Sequence, residues 1–299
     1  MAKEFGGSTW NYFCMNLKRS NLTWLLLPAL AIAVIAAIGG GASNGANTLT
    51  AEEKAAGWRL LWDGQTFTGW RSVKSPGFPS KAWLIHGGIL TAHSRGTAEG
   101  EVGEDLITYE QYSDFELVAD FKLTAGANSG LKYFVRSNWD PVAGRRKESG
   151  FGLTIGYEFQ LLDDARHPDA KLGRDGNRTL GALYDLIPPA TNKPAHAIGR
   201  WNTARIVARG GHIEHWLNGR KIIEFEQGSP AFREAVAASK FNSLPGFESW
   251  SKGCLLLQDH GGEVSFRNLK IRPLAPQPTV STDKVISQAR RETPVVQIK

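Results

Sequence analysis

The residues best suited to acid–base chemistry stand where polar side chains interrupt apolar, strand-like sequence. In the stretch 157–164, the two-residue period of a β-strand places Glu158 and Gln160 on one face, with Asp163 following at the strand end. Carboxylates placed in this way can act as general acid or base, or accept a hydrogen bond that orients a base. A solvated outer face of a strand gives the same pattern, so the spacing leaves both readings open.

Two histidines are further candidates, because an imidazole titrates near neutral pH. His215 shares a strand face with Ile213 and Leu217, which is equally typical of a histidine packed in a core. His260 shares a face with Gln258 at the end of another strand-like run, and the glycines that follow allow close approach of the backbone. Histidines and carboxylates also bind divalent metals, but no spacing here is diagnostic of a metal site.

Two more segments carry side chains that could contact a ligand. Lys132 lies in a strand-like run and could share a face with Arg136, as an electrophilic or hydroxyl-binding group or as part of an exposed basic face. Tyr184 precedes the stiff pair Pro188 and Pro189, where its ring could stack on a sugar or pack under the loop. The sequence contains no phosphate loop, nucleophile elbow or dinucleotide fingerprint.

The elements that must position these residues are short strands separated by turn signals. The predicted strands are 58–62, 89–93, 115–123, 130–136, 157–162, 203–209, 212–217, 221–226, 255–260 and 264–272. Asn218-Gly219 between two of them is a strong hairpin signal. One helix is predicted over residues 231–239, with Ser229 as N-cap and Pro230 in its first position. Many strands and one short helix predict an all-β fold, a two-sheet jelly-roll sandwich.

Composition sets the outer limits of function. The chain has 299 residues, 41% of them hydrophobic, which is enough for a sizeable core, and its two cysteines exclude a disulfide scaffold. Part of the net charge of +6 lies in the two ends of the chain rather than in one patch. We therefore expect no nucleic-acid partner.

The ends of the chain differ in composition from its body. Residues 1–46 have a basic pair, Lys18-Arg19, then an apolar run over 22–38 and a small-residue stretch, which predicts a signal peptide or an uncleaved N-terminal anchor. Both readings predict export, to the periplasm or the cell exterior, with membrane contact only through an uncleaved leader. Residues 47–56 are interpreted as a polar spacer, 57–273 as the folded domain and 274–299 as a flexible tail.

Eight strings in the predicted domain, taken together and in order, resemble the bacterial 3-keto-disaccharide hydrolase domain family. The strings are Asp-Phe-Glu-Leu at 114–117, Gly-Ala-Asn-Ser-Gly-Leu-Lys-Tyr-Phe at 126–134, Tyr-Glu-Phe-Gln-Leu-Leu-Asp-Asp at 157–164, Gly-Ala-Leu-Tyr-Asp-Leu-Ile-Pro-Pro at 181–189, Trp-Asn at 201–202, Ile-Glu-His-Trp-Leu-Asn-Gly at 213–219, Ser-Lys-Phe at 239–241 and Leu-Gln-Asp-His-Gly-Gly at 257–262. The resemblance covers about residues 57–273. It implies a concanavalin A-like sandwich and hydrolysis of 3-oxo-glycosides such as 3-ketotrehalose by an exported protein.

The resemblance also implies a mechanism. A ketone at C3 acidifies the C2 proton, a base removes that proton, the enolate expels the C1 aglycone, and water adds to the enone. His215 and His260 are then candidates for base or metal ligand, with Glu158 and Asp163 as partner carboxylates. Lys132 would polarise the ketone. The substrate-binding candidates are Gln160 and Gln258 for hydroxyl groups and Tyr184 and Trp216 for the sugar face.

Two other functions fit the same sequence. An ordinary glycosidase would use Glu158 and an aspartate as a carboxylate pair about 5–10 Å apart across a cleft. A non-catalytic carbohydrate-binding module would present aromatic side chains without convergent imidazoles and carboxylates, and jelly rolls host both kinds of protein. All three readings predict a small carbohydrate as partner. The cofactor stays unknown, with a divalent metal possible.

Overall fold

The computed structural model describes residues 45–93, 104–137, 139–140, 145–146 and 154–275. The predicted leader, apart from residues 45–46, and the predicted tail beyond residue 275 lie outside the described residues. The description below therefore concerns the body of the chain, which corresponds to the predicted spacer and domain.

The described part of the chain forms two antiparallel sheets. An eight-stranded sheet contains, in spatial order, β13 (Arg220–Glu226), β12 (His212–Leu217), β11 (Trp201–Arg209), β6 (Phe115–Leu123), β15 (Val264–Pro273), β4 (Ile89–Ala92) and β3 (Trp83–His86), with β1 (Arg59–Leu60) paired to β15. A five-stranded sheet contains β10 (Thr154–Leu162), β7 (Asn128–Ser137), β14 (Gly253–Leu257), β5 (Leu106–Tyr112) and β2 (Trp70–Ser72). A separate pair joins β8 (Trp139–Asp140) to β9 (Arg145–Arg146). The predicted two-sheet, all-β sandwich is confirmed.

The core lies between the two sheets and is rich in aromatic side chains. Strands β11 and β12 alternate buried and half-exposed residues along their whole length, as strands with one face in a core must. The five-stranded sheet contributes Tyr133, Tyr157 and Phe159, each 1% exposed or less, and the opposite sheet contributes Phe115 and Phe266, both 0% exposed. Each fully buried side chain of this kind stabilises the fold by about 1.5–3 kcal/mol.

The helices are short. The predicted helix is confirmed as α2 (Pro230–Ala237), and the Ser229 side chain accepts a hydrogen bond from the backbone N–H of Phe232 at 3.2 Å. The predicted spacer contains α1 (Ala51–Ala55), which begins with a capping box formed by Thr50 and Glu53. Two 3-10 turns cover Pro168–Lys171 and Phe247–Ser249. Neither α-helix in the described part of the chain is of the length and apolar character that a bilayer crossing requires.

The residues just before the domain are attached to it. The backbone N–H of Asn47 donates to Asn268 Oδ1 at 2.6 Å, and that of Asn268 donates to Asn47 Oδ1 at 2.8 Å. Lys270 Nζ donates to Glu53 Oε1 at 2.7 Å. The segment interpreted as a spacer therefore covers part of β15 instead of lying apart from the sandwich.

Candidate functional site

A polar cavity lies on the outer face of the five-stranded sheet, where β10 and β14 end and β7 begins. Its volume is about 70 Å³, and its walls are Asn128, Lys132, Glu158, Gln160, Tyr184, Lys240, Gln258 and His260. Six of the nine side chains proposed from the sequence meet there: Lys132, Glu158, Gln160, Tyr184, Gln258 and His260. The alternation of β7 and β10 explains this, because their aromatic residues point into the core and so turn the polar residues outward.

Lys132 and Glu158 form a buried ion pair in the cavity wall. They are directly opposed on β7 and β10, and Lys132 Nζ lies 3.5 Å from Glu158 Oε2, with the side chains 13% and 8% exposed. Burial alone would lower the pKa of Lys132, but the charges of Glu158 and Asp105 outweigh it and raise that pKa. The cavity therefore holds a cationic ammonium group next to any bound ligand.

The other oxygen of Glu158 is also held in place. In the amide orientation that satisfies both of its polar atoms, Gln160 donates to Glu158 Oε1 at 3.0 Å and to the Ser129 carbonyl at 2.9 Å. Gly130 leaves the space for this carboxylate, since a Cβ at that position would lie 2.3 Å from Glu158 Oε1. Glu158 is thus an oriented counter-ion of Lys132, and Gln160 uses one N–H to hold it and the other to bind the Ser129 carbonyl.

Asp105, which was not a candidate from the sequence, adds a second carboxyl group near Lys132. It stands just before β5, and its Oδ1 accepts a hydrogen bond from the Asp259 N–H at 2.9 Å. Burial raises the pKa of Asp105 to about 6, against the opposing charge of Lys132. No strand pattern surrounds this residue in the sequence, and only the pairing of β5 with β14 brings it to the site.

His260 is the candidate base that faces the cavity. Its Nδ1 is buried and has no hydrogen-bond partner among the described residues. The neighbouring Gln258 is fixed through its backbone: its N–H donates to Gly130 O at 2.9 Å, and its carbonyl accepts from Ser129 Oγ at 2.7 Å. Since a buried, unpaired ring nitrogen costs stability, the arrangement favours a ligand group that completes this hydrogen bond.

Tyr184 lines the cavity between two cations. Lys240 Nζ lies 4.2 Å and Arg178 Cζ 5.4 Å from the centroid of its ring. Lys240 and Asn128 were not proposed as site residues, although both stand in strings that carry the family resemblance. The two cations on its ring leave Tyr184 less free to stack on a sugar than the sequence predicted.

The structure does not bring His215 to the cavity, which corrects the role predicted for it. The side chain is 0% exposed between the sheets, with Nε2 2.9 Å from the Tyr133 hydroxyl and Nδ1 3.2 Å from the Gly181 carbonyl. Burial lowers the pKa of His215 to about 4. It is a neutral core residue with both ring nitrogens occupied, so it cannot touch a substrate in this geometry.

Asp163 and Trp216 also lie away from the cavity. Asp163 closes the turn after β10, where it accepts hydrogen bonds from the Gly126 N–H at 2.8 Å and from Arg166 at 3.1 Å. Burial opposes these bonds, but together they lower its pKa. Trp216 lies on the outer face of the eight-stranded sheet, under Arg205 at 4.6 Å. Their predicted roles as partner carboxylate and sugar platform are therefore corrected to structural ones.

Metal-like spacing occurs elsewhere in the described ranges. His212, Glu214 and Glu224 have ligand atoms within 4.8 Å of one another, on β12 and β13 of the eight-stranded sheet. Lys221 Nζ already lies 3.1 Å from Glu214 and 2.6 Å from Glu224, so an ammonium group pairs with both carboxylates. A divalent metal at the polar cavity stays a prediction that this cluster does not support.

Several known proteins are similar to this chain in sequence and in fold. A protein from Bacteroides thetaiotaomicron named 3-keto-disaccharide hydrolase is 33% identical over 240 residues, covering 74% of this chain and 79% of that protein. A solved structure from Parabacteroides distasonis, described as a proposed glycosyl hydrolase, is 32% identical with a TM-score of 0.62, covering 77% of this chain and all of that one. A second from the same organism is 27% identical with a TM-score of 0.50, covering 73% and 99%.

The family assignment rests on the whole domain. The model of the 3-keto-alpha-glucoside-1,2-lyase-like domain matches residues 57–272, which agrees with the extent of the resemblance seen in the sequence motifs. The matched region contains both sheets and every residue of the polar cavity. The prediction of an enzyme family that acts on 3-keto sugars is confirmed, and this chain belongs to the 3-keto-alpha-glucoside-1,2-lyase-like family.

Proposed function

We propose that this protein cleaves the glycosidic bond of 3-keto-glycosides by elimination followed by hydration, with the reaction centred on the polar cavity. The observation that carries the proposal is that His260, whose ring Nδ1 has no hydrogen-bond partner among the described residues, lines the same small cavity as Lys132. A base and a fixed positive charge are the two groups that enolate formation requires.

The proposed sequence of steps uses these groups in order. His260 takes the proton from C2, and the electron pair moves onto the C3 oxygen, where Lys132 stabilises the enolate. The enolate returns its electrons to form the C1–C2 double bond as the C1–O bond breaks, and the departing alkoxide takes the proton that His260 removed from C2. Water then adds its hydroxyl to C1 and a proton to C2. The net reaction consumes one water and gives the free 3-keto sugar and an alcohol.

The remaining wall residues orient rather than react. Glu158 pairs with Lys132, and Gln160 holds Glu158 in position through a hydrogen bond. Asn128 and Gln258 offer amide groups to the sugar hydroxyls at the cavity edge. Because the cavity holds only about 70 Å³, it can receive the C2–C3 edge of the sugar ring but not a whole disaccharide.

A direct test compares oxidised and unoxidised substrate in heavy water. Mature protein should cleave 3-ketotrehalose and leave trehalose intact, and NMR should show deuterium at C2 of the product. Cleavage of both sugars at equal rates, or product without deuterium at C2, would contradict the elimination mechanism and favour a two-carboxylate glycosidase. Binding without cleavage of either sugar would favour a carbohydrate-binding module. A parallel arm with chelator tests the possible metal.

We also propose that the domain works outside the cytoplasm. The support is the basic pair Lys18-Arg19 followed by the apolar run 22–38. Expression of the full chain in a Gram-negative host, with periplasmic and membrane fractions separated, should recover it outside the cytoplasm. Recovery of the intact chain in the cytoplasmic fraction would overturn this proposal, and recovery in the membrane fraction would show an uncleaved anchor.

A further inference from the structure

A second, larger cavity adjoins the polar one. It has a volume of about 280 Å³ and shares Lys132, Glu158 and Lys240 with the polar cavity. Its further walls are Thr154, Ile155, Gly156, Phe241 and Leu244. The shared residues form the boundary between the two spaces, so a ligand that reaches the polar cavity can extend into the larger one.

The two cavities follow one another along strand β10. Gln160 marks the polar end, Glu158 the boundary and Ile155 the far end. At about 3.4 Å per residue, Ile155 and Gln160 are roughly 17 Å apart, long enough for a sugar ring and the group attached to it. If the C2–C3 edge of the ring occupies the polar cavity, C1 and its substituent point toward the boundary or beyond it.

The floor of the larger cavity is shaped by a β-bulge. Phe134 and Val135 of β7 stand opposite the single residue Gly156 of β10, and a Cβ at Gly156 would lie 2.6 Å from the Tyr133 carbonyl. The bulge therefore permits only a hydrogen atom there, which keeps this part of the floor free of a side chain. Such bulges commonly reshape a strand next to a binding site.

The far wall is apolar. Phe241 is 9% exposed and held by stacking on Phe247 at 4.6 Å, and Leu244 and Ile155 are partly buried hydrophobic residues that pack on the core. Apart from the three boundary residues, Thr154 supplies the only polar side chain among the described residues that line this cavity. A second hexose would place several hydroxyl groups against this wall without partners, whereas an apolar alcohol would lose nothing by being buried there.

We propose that the larger cavity is the subsite for the departing group, and that it selects 3-keto-glycosides whose aglycone is an apolar alcohol, aromatic or alkyl, over those whose aglycone is a sugar. This inference rests on the proposed function, because it takes the polar cavity as the place where C2 reacts. Lys240, at the boundary, lies where the departing oxygen would emerge.

The test uses departing groups of similar acidity, so that differences report binding and not leaving-group chemistry. We expect kcat/KM to rise at least about tenfold from methyl to 2-phenylethyl 3-keto-α-glucoside, because the phenylethyl group adds several carbons of apolar contact. Leu244→Asn should remove that gain, so that the ratio of kcat/KM for the phenylethyl compound to that for the methyl compound falls to about one. Leu84→Asn, at an exposed leucine on β3, is the matched control and should change nothing.

Two results would overturn the subsite: equal kcat/KM for the methyl and phenylethyl compounds in wild type, or equal losses for all substrates in Leu244→Asn. If wild type cleaves no 3-keto-glycoside at all, the proposed function fails and binding decides the subsite. Saturation-transfer NMR with unoxidised 2-phenylethyl α-glucoside should then show contact with the phenyl protons in wild type and Leu84→Asn, and a loss in Leu244→Asn. No contact in wild type overturns the subsite as well.

Discussion

The outer faces of the two sheets carry similar residues in opposite states. On the eight-stranded sheet the charges are paired across strands: Glu116 accepts from both Arg205 and Arg272, the latter at 2.7 Å, and Asp120 pairs with Arg267 at 3.4 Å. On the five-stranded sheet, His260 Nδ1 is buried without a partner, and Lys240 contacts aromatic rings but pairs with no carboxylate in the described part of the chain.

This difference separates a surface from a site. An ion pair in which each charge has a partner and one side chain is exposed to water needs no ligand to satisfy its charges. Where a polar group is buried and unpaired, the folded protein carries a cost that a ligand can offset by completing the bond. The paired charges on the eight-stranded sheet therefore indicate an ordinary surface, whereas the unpaired groups on the five-stranded sheet indicate a ligand site. Both faces contain histidine, lysine and glutamate.

The largest effect is expected at His260. His260→Gln removes the proposed base, and kcat/KM for a 3-keto-glycoside should fall by about 10²–10⁴. Circular dichroism should show an unchanged fold. The matched variant on the other face, His212→Gln, should keep wild-type kinetics. Comparable losses in both variants would show that the unpaired nitrogen does not mark the reaction centre.

Lys132 should affect both activity and stability. Lys132→Met leaves the carboxylate of Glu158 buried and unpaired, so urea unfolding should show a loss of about 3–5 kcal/mol. The double variant Lys132→Met/Glu158→Leu removes both charges and should regain most of that stability, but it should stay inactive because no cation faces the enolate. An active double variant would contradict the role given to Lys132.

Replacing His215 should change the pH dependence of the free energy of unfolding rather than the kinetics of the reaction. Its folded-state pKa of about 4 lies below the ordinary 6.5, so the unfolded chain binds the proton first as pH falls. The stability due to neutral His215 is therefore complete above pH 6.5 and is lost as pH falls from 6.5 to 4, by about 3 kcal/mol in total.

Urea midpoints of wild type and His215→Gln, measured across that pH range, should converge toward pH 4. The difference between the two proteins is the useful quantity, because Asp105, with a pKa raised to about 6, changes stability in the opposite direction as pH falls. A kcat/KM loss in His215→Gln as large as that of His260→Gln, with the fold intact, would restore a catalytic role for His215.

The smallest effect is expected on the outer face of the eight-stranded sheet. Arg205 is 34% exposed, and Glu116 keeps Arg272 when Arg205 is removed. Arg205→Ala should therefore cost less than about 1 kcal/mol in urea unfolding and leave kcat/KM unchanged. A loss as large as that of Lys132→Met would mean that the two faces do not differ as described.

The sequence predicted the strands that have clear alternation and missed those that do not. β6 and β12 were predicted with their observed bounds, since apolar and polar residues alternate along them. β2, β3 and β5 were not predicted. β2 is buried along its whole length and β5 in its first half, so the sequences of these two strands show no two-residue period. β14 ends at Leu257, three residues before its predicted end.

The candidate site was predictable where strand geometry alone decides which way a side chain points. Glu158, Gln160 and Lys132 follow from the period of β10 and β7. Asp105 and Lys240 could not be found in this way, because one precedes a strand and the other follows a helix. Their proximity to Lys132 depends on tertiary packing. The roles of His215 and Trp216 were predicted wrongly for a related reason. The two-residue period shows that they lie on opposite faces of β12, but it does not show which sheet faces the ligand.

The close contact between Gly130 and Glu158 has a consequence for how relatives of this protein can diverge. With a Cβ at position 130 only 2.3 Å from the carboxylate, a side chain there would force Glu158 out of its present position. The two positions should therefore change together: a relative with alanine at the first should carry a shorter acid, or none, at the second. A homologue without an acid at the second position would have lost the counter-ion of its lysine, and we would expect a different chemistry from it.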